Sequence, residues 1–379
     1  MIRLANVIET FEADFLAQYR NRLTSAHYRA LTAIKQCRTE ASRKMQVQCT
    51  QCDHQKLVPH SCGHRHCPHC QHHESQQWLE RQLKKRVPAE YFLLTFTLPA
   101  EFRALAWAHQ SVVYAALMQC CWETVRTFSQ NDKRLQGTPG AIAVLHTNTR
   151  QLDYHPHVHL VMPAAALDGK HRQWRTKDRA GGKGVYLFNH KALAKVFRAK
   201  MLAGIEAAGL TLPHRHPKQW VVDCKSVGSG EKALIYLGRY LYRGVIAEKD
   251  IVACANGQVS FRYRNAKTGK MERRTVSGAH FLWLVLQHVL PKGFRRARNF
   301  GFLHPNCKRL IALLHLLLSQ GIPSLRDINF NPGQAVPWFK KRAPILCTCC
   351  GAVMVIVKTR IKPLFAPGVF SSLATEGAH

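Results

Sequence analysis

The chain has 379 residues, enough for two or three compact units, and 46% of them are hydrophobic, which excludes a largely disordered protein. Its 55 Lys and Arg against 22 Asp and Glu give a formal charge of +33 spread along the whole length, so the expected partner is a polyanion, with nucleic acid first. The apolar runs 281–290 and 310–318 fall well short of the ~20 residues of a membrane span, and Glu9, Glu12 and Asp14 stand where a secretory signal would be apolar, so no membrane association and a cytoplasmic location are expected.

Residues 8–41 read as helical, with apolar positions at helical spacing. Cys49-Thr-Gln-Cys52 and Cys67-Pro-His-Cys70 follow, with 14 residues between Cys52 and Cys67. Cysteines grouped this way in a large chain read as metal ligands rather than disulfides. Cys49, Cys52, Cys67 and Cys70 are therefore expected to hold a structural Zn2+, four thiolates leaving no open position for water. Cys37, Cys62 and His66 are candidate additional ligands. This unit is expected to present Arg65, Lys84, Lys85 and Arg86 to DNA.

A helix over 74–86, a strand over 91–97 and a helix over 101–128 come next. Residues 141–147 form one arm of a hairpin, with a turn near Gln151-Leu152-Asp153, and Tyr154-His155-Pro156-His157-Val158-His159 opens the other. Strand side chains alternate, so His157 and His159 share a face while Val158 enters the opposite layer. Taken alone, two such histidines are more often packing or a hydrogen-bonded pair than a ligand pair; with a chemical partner they are half of a metal site. For a third ligand Asp153, His155, His146 and Glu231 are all candidates.

Residues 168–184 read as a basic, Gly-containing surface loop, 191–208 as a helix and 220–225 as a strand. The turn at 227–230 leads into a helix over 233–243, where Tyr236 and Tyr240, four apart, lie one above the other. Arg239 and Arg243 form a parallel pair suited to DNA phosphates. Residues 251–255, 259–264 and 273–276 read as a small antiparallel sheet, and Cys347-Thr-Cys-Cys350 adds one isolated Cys-x-x-Cys. Gly228-Ser-Gly-Glu-Lys232 lacks the spacing of a phosphate-binding loop, so no nucleotide cofactor is expected.

Together, His157-Val158-His159 and Tyr236 with Tyr240 resemble the two-tyrosine HUH transposases of bacterial insertion sequences, of the insertion-sequence-91 type. Residues 91–99, 196–200, 220–222 and 288–294 match the same family in the same order. The resemblance implies an α+β fold, an antiparallel, palm-like nuclease sheet covered by helices. It implies N-terminal helical and zinc-binding DNA-binding residues 1–88, a catalytic domain over 89–300 and a C-terminal helical, cysteine-containing tail over 301–379. It also implies a Mg2+ or Mn2+ ion on His157 and His159, and Tyr236 and Tyr240 as nucleophiles that cleave and rejoin single-stranded DNA through a 5′-phosphotyrosine, in rolling-circle transposition at the bacterial nucleoid. A phenol with pKa near ~10 is a poor nucleophile at neutral pH, which is why a cation on the scissile phosphate is needed. A replication initiator or relaxase with the same chemistry, and a non-catalytic zinc-dependent DNA-binding protein, are the alternative readings.

Overall fold

Period-two alternation in three neighbouring strands organises the largest sheet of the molecule. In the computed structural model, which describes residues 1–170, 172–177, 187–242, 244–266, 268–321 and 344–362, the strands Tyr91–Thr97, Thr138–Asn148 and Tyr154–Pro163 lie side by side with Tyr154–Pro163 in the middle. One face carries Phe92, Leu94 and Phe96, Ala141, Ala143 and Leu145, and Val158, Leu160 and Met162. These pack against the helices Gln110–Asn131 and His190–Ala207 through Leu117, Met118, Val125, Phe197 and Met201. The other face carries Tyr91, Ile142, Val144 and Val161, covered by the helices His72–Leu83 and Glu231–Tyr242.

The sheet is extended by Val222–Ser226 beyond Tyr91–Thr97, by Ala165–Asp168 and Gln173–Thr176 at the other edge, and by Ala297–Gly301, which pairs with Thr138–Asn148; every pairing is antiparallel. The α+β reading therefore holds, with helices on both sides of an antiparallel sheet. Ala165–Asp168 and Gln173–Thr176 form a hairpin where a loop was expected over 168–184, and residues 171 and 178–184 of that stretch lie outside the described residues. Pro156, which has no N–H to donate, lies inside the histidine strand. The strand begins at Tyr154, and the register slips by one residue between His146 and Asn148 to accommodate it.

Residues 8–41 form two helices rather than one, Leu4–Tyr19 and Ser25–Lys35, because Thr24 starts the second with a capping box in which its backbone N–H donates to His27 Nδ1 at 3.0 Å. Both pack with the helix Gly278–Leu286 and the sheet Ile251–Ala255, Gln258–Arg264, Met271–Ser277 in a second core built on Phe11, Phe15, Leu31, Phe261 and Phe281. A third sheet joins Lys44–Cys49, Gln55–Pro59 and, from near the other end of the sequence, Met354–Ile361. Among the described residues no helix is long and apolar enough to cross a membrane.

His288 ties the two cores together. Its ring bonds Thr147 Oγ1 at 3.2 Å and Leu152 O at 2.9 Å, and burial pulls its pKa down to about 4. An unfolded chain protonates this imidazole near pH ~6.5 while the folded chain keeps it neutral, so its contribution is complete above that pH and is lost as pH falls toward about 4. Thermal denaturation between pH 7 and 4.5 is expected to show His288→Asn less stable at pH 7 but with a shallower acid loss than the wild type; parallel pH curves would contradict this account.

Candidate functional site

The register places three imidazoles on one face. His146 stands opposite His157, and Val144 opposite His159, so His146 joins the pair from the neighbouring strand. The ligand nitrogens of His146, His157 and His159 all lie within 4.8 Å of one another. Each ring is oriented from behind. His157 Nδ1 donates to the His155 carbonyl at 2.7 Å, and His159 Nδ1 contacts Thr95 Oγ1 at 3.0 Å, leaving both Nε2 atoms toward the site. His146 Nε2 is buried without a hydrogen-bond partner. Burial holds His157 at about 3 and His159 at about 4, and pushes His146 well below the ordinary range, so all three rings are neutral at physiological pH. A neutral triad with an orphaned nitrogen fits a divalent cation.

The other third-ligand candidates are engaged elsewhere. Asp153 pairs with Arg274 at 2.8 Å, Glu231 with Arg86 at 3.2 Å, and His155 Nδ1 meets Arg103 at 3.1 Å.

The helix Glu231–Tyr242 lies across these rings, and its two tyrosines differ in environment. Tyr236 is half exposed, with its ring 6.1 Å from His159 and 6.3 Å from His146 between centroids; burial raises its phenol and nearby Arg150 acts against that. Tyr240 stacks on His146 at 3.3 Å, donates its hydroxyl to Asn148 Oδ1, and sits under the Arg296 guanidinium at 4.8 Å. Burial drives its phenol up to about 12, with Arg296 opposing. Arg239 is exposed on the same helix, and Arg243 lies outside the described residues.

The close seating depends on Gly238. A Cβ there would stand 3.3 Å from the Trp78 ring, and Ser75 Oγ donates to its carbonyl at 3.1 Å. Asn148 and Arg296 were not anticipated from the sequence: neither belongs to a spaced motif, and each reaches Tyr240 only through the tertiary fold.

The cysteines depart from the expected grouping. Cys67 and Cys70 gather with Cys37 and Cys62, whereas Cys49 and Cys52 gather with Cys347 and Cys350. Each group already brings four thiols within 4.8 Å of one another, a complete tetrahedral set, so the two Cys-x-x-Cys pairs fall in different groups. Cys37 and Cys62 thus join a ligand group, with Cys70 Sγ 3.5 and 3.6 Å from them. His66 does not: its Nε2 accepts from the Leu290 N–H at 3.3 Å. Nor are the expected DNA-facing cations all free to turn outward. Arg65 donates to the Phe294 carbonyl, Lys85 to that of Leu303, and Arg86 pairs with Glu231, while Lys84 is exposed.

Comparison with known proteins bears on both halves of the chain. A family profile described as "Putative transposase" matches residues 140–310, which hold the histidines and the tyrosine helix, and one described as "Transposase zinc-binding domain" matches residues 7–98. The chain is 31% identical over 345 residues to "Putative transposase y4qJ" of Sinorhizobium fredii (strain NBRC 101917 / NGR234), covering 85% of each protein. It is 28% identical over 324 residues to the transposase for insertion sequence element IS801 of Pseudomonas savastanoi pv. phaseolicola, covering 80% of this chain and 76% of that one. Among solved structures, the conjugative relaxase TrwC in complex with mutant OriT DNA aligns to 34% of this chain and 48% of that one at 20% identity and a TM-score of 0.25.

Replacing Gly238 by Val would force the two covering helices apart at Trp78. The expected cost is about 1–3 kcal/mol, read as a lowered Tm, with the distance between the tyrosine helix and the sheet increased; an unchanged Tm would show that the contact is not tight.

Proposed function

Because the chain belongs to the two-tyrosine transposase family of the insertion-sequence-91 type, we propose that it is a metal-dependent endonuclease and strand transferase that cuts and rejoins single-stranded DNA. The observation that supports this most directly is the seating of two phenols, one open and one tucked in, over three neutral imidazoles on a single sheet face. His146, His157 and His159 would hold the ion, and Mg2+ or Mn2+ bound there would polarise a nonbridging oxygen of the scissile phosphate. Structural Zn2+ is separate and belongs to the cysteines of the N-terminal domain.

Tyr236 is the first nucleophile in this reading, since its phenol is open to substrate and is not held by Asn148. Its phenol gives up its proton as the oxygen attacks phosphorus, the bond to the 3′ oxygen breaks, and the departing oxygen takes up a proton to become a free 3′-hydroxyl. The 5′ phosphate remains on Tyr236, and this ester keeps the reactivity of the original bond for rejoining. Tyr240 opens the second site after leaving the Asn148 acceptor, and the Arg296 cation beside its ring offsets the charge of a phosphate attached there. Arg239, exposed on the same helix, steadies the DNA backbone. Two nucleophiles permit one end to be held while the other is cut, the logic of rolling-circle movement, carried out on DNA in the cytoplasm. Residues 1–88, 89–300 and 301–379 are assigned respectively to DNA binding, catalysis and a C-terminal extension.

Incubation of the purified chain with single-stranded oligonucleotide and Mn2+ is expected to yield a denaturant-stable protein–DNA adduct. Tyr236→Phe should reduce first-turnover adduct at least tenfold, Tyr240→Phe should leave it but block strand transfer, and an adduct surviving both changes together would refute the assignment. Salt-sensitive binding without any adduct would identify a DNA-binding regulator instead. In the same assay His146→Ala should raise the Mn2+ concentration needed for half-maximal adduct by about 10–100-fold, as should His157→Ala; an unchanged Mn2+ requirement for His146→Ala would exclude it from the site.

A further inference from the structure

Cys347 and Cys350 lie outside both stretches matched by the family profiles, residues 7–98 and 140–310. The fold nevertheless brings them to Cys49 and Cys52. Cys49 Sγ is 3.4 Å from Cys350 Sγ, and Cys52 Sγ is 3.7 Å from both Cys347 and Cys350. A tetrahedral ion with zinc–sulfur bonds of about 2.3 Å has sulfurs about 3.8 Å apart, whereas a disulfide would need about 2.05 Å. The observed spacings belong to the first case.

The backbone repeats one arrangement in both Cys-x-x-Cys pairs. Gln51 N–H donates to Cys49 Sγ at 3.4 Å, and Cys349 N–H donates to Cys347 Sγ at 3.4 Å. Such donors favour thiolate over thiol. Between the pairs, Thr50 Oγ1 donates to Val353 O at 2.9 Å and Lys56 Nζ to Leu346 O at 3.3 Å.

Apolar packing cannot account for this sheet by itself. Its buried cluster consists of Val47, Cys49, Cys347 and Met354, while Val355, Ile356 and Val357 on the C-terminal strand are about half exposed. A core this small needs a staple. We propose that Cys49, Cys52, Cys347 and Cys350 form a second structural zinc site that clasps the C-terminal strand Met354–Ile361 to the N-terminal hairpin. It is distinct from the zinc group of Cys37, Cys62, Cys67 and Cys70. The closure joins residues 295 positions apart, so it removes much freedom from the unfolded chain. Cys349 approaches His54 and Cys347 in a group of only three donors and is not one of the four ligands.

The test counts thiolate-bound metal in the full chain, in a His157→Ala, His159→Ala background so that imidazoles do not contribute. Two zinc ions per chain are expected, one after Cys347→Ser with Cys350→Ser, one after Cys62→Ser with Cys67→Ser, and two after Cys349→Ser. Two zincs surviving the Cys347/Cys350 change, or a single zinc in the parent, would overturn the proposal. Should the double variants fail to fold by circular dichroism, cobalt(II) titration of the parent decides. Thiolate-to-cobalt absorption saturating at two equivalents with four-sulfur tetrahedral bands supports the site, and saturation at one equivalent removes it.

Discussion

The antiparallel register between Thr138–Asn148 and Tyr154–Pro163 is the constraint on which the site depends. With His146 opposite His157, the alternation that sends Val158 and Leu160 into the helix-covered core also turns His157 and His159 to the other face. A slip of one residue would exchange these sets, burying imidazoles among Phe96 and Phe197 and exposing Val158. Register is held because that error would bury polar rings in an apolar core and remove Val158 and Leu160 from it together. The same hydrophobic pattern that folds the sheet thus assembles the imidazole face.

Helix seating adds the second element. Gly238 lets the tyrosine helix approach Trp78, and Gly230, at φ +76 with no room for a Cβ against the Tyr91 ring, starts that helix directly over the sheet. Four-residue spacing alone would present equivalent phenols. The sheet below makes them unequal, because Tyr240 meets His146, Asn148 and Arg296 while Tyr236 reaches solvent. A difference in reactivity between two identical side chains is a property of their surroundings.

The cysteine groups serve the same architecture from outside. Cys67 and Cys70 are buried in the second core with Phe11 and Phe281, so a metal held there would anchor the N-terminal helices against the helix Gly278–Leu286. The other group lies at the far end of the hairpin, beside the C-terminal strand that pairs with Lys44–Cys49.

Much was legible in the chain itself. The strand Tyr91–Thr97, the tyrosine helix, the small sheet around Phe261 and the His157–His159 pair follow from local periodicity, which side-chain alternation and helical spacing determine without reference to distant residues. The polyanion-binding charge and the Tyr236–Tyr240 spacing were equally local. Tertiary structure alone decided that His146, rather than Asp153, His155 or Glu231, joins the histidines, and that Asn148 and Arg296 attend Tyr240. It alone divided the cysteines between two ends of a hairpin and recruited Cys347 and Cys350 across most of the chain. Spacing in sequence governs which groups share a face; which faces meet depends on strand register and long-range closure, and no local pattern encodes those.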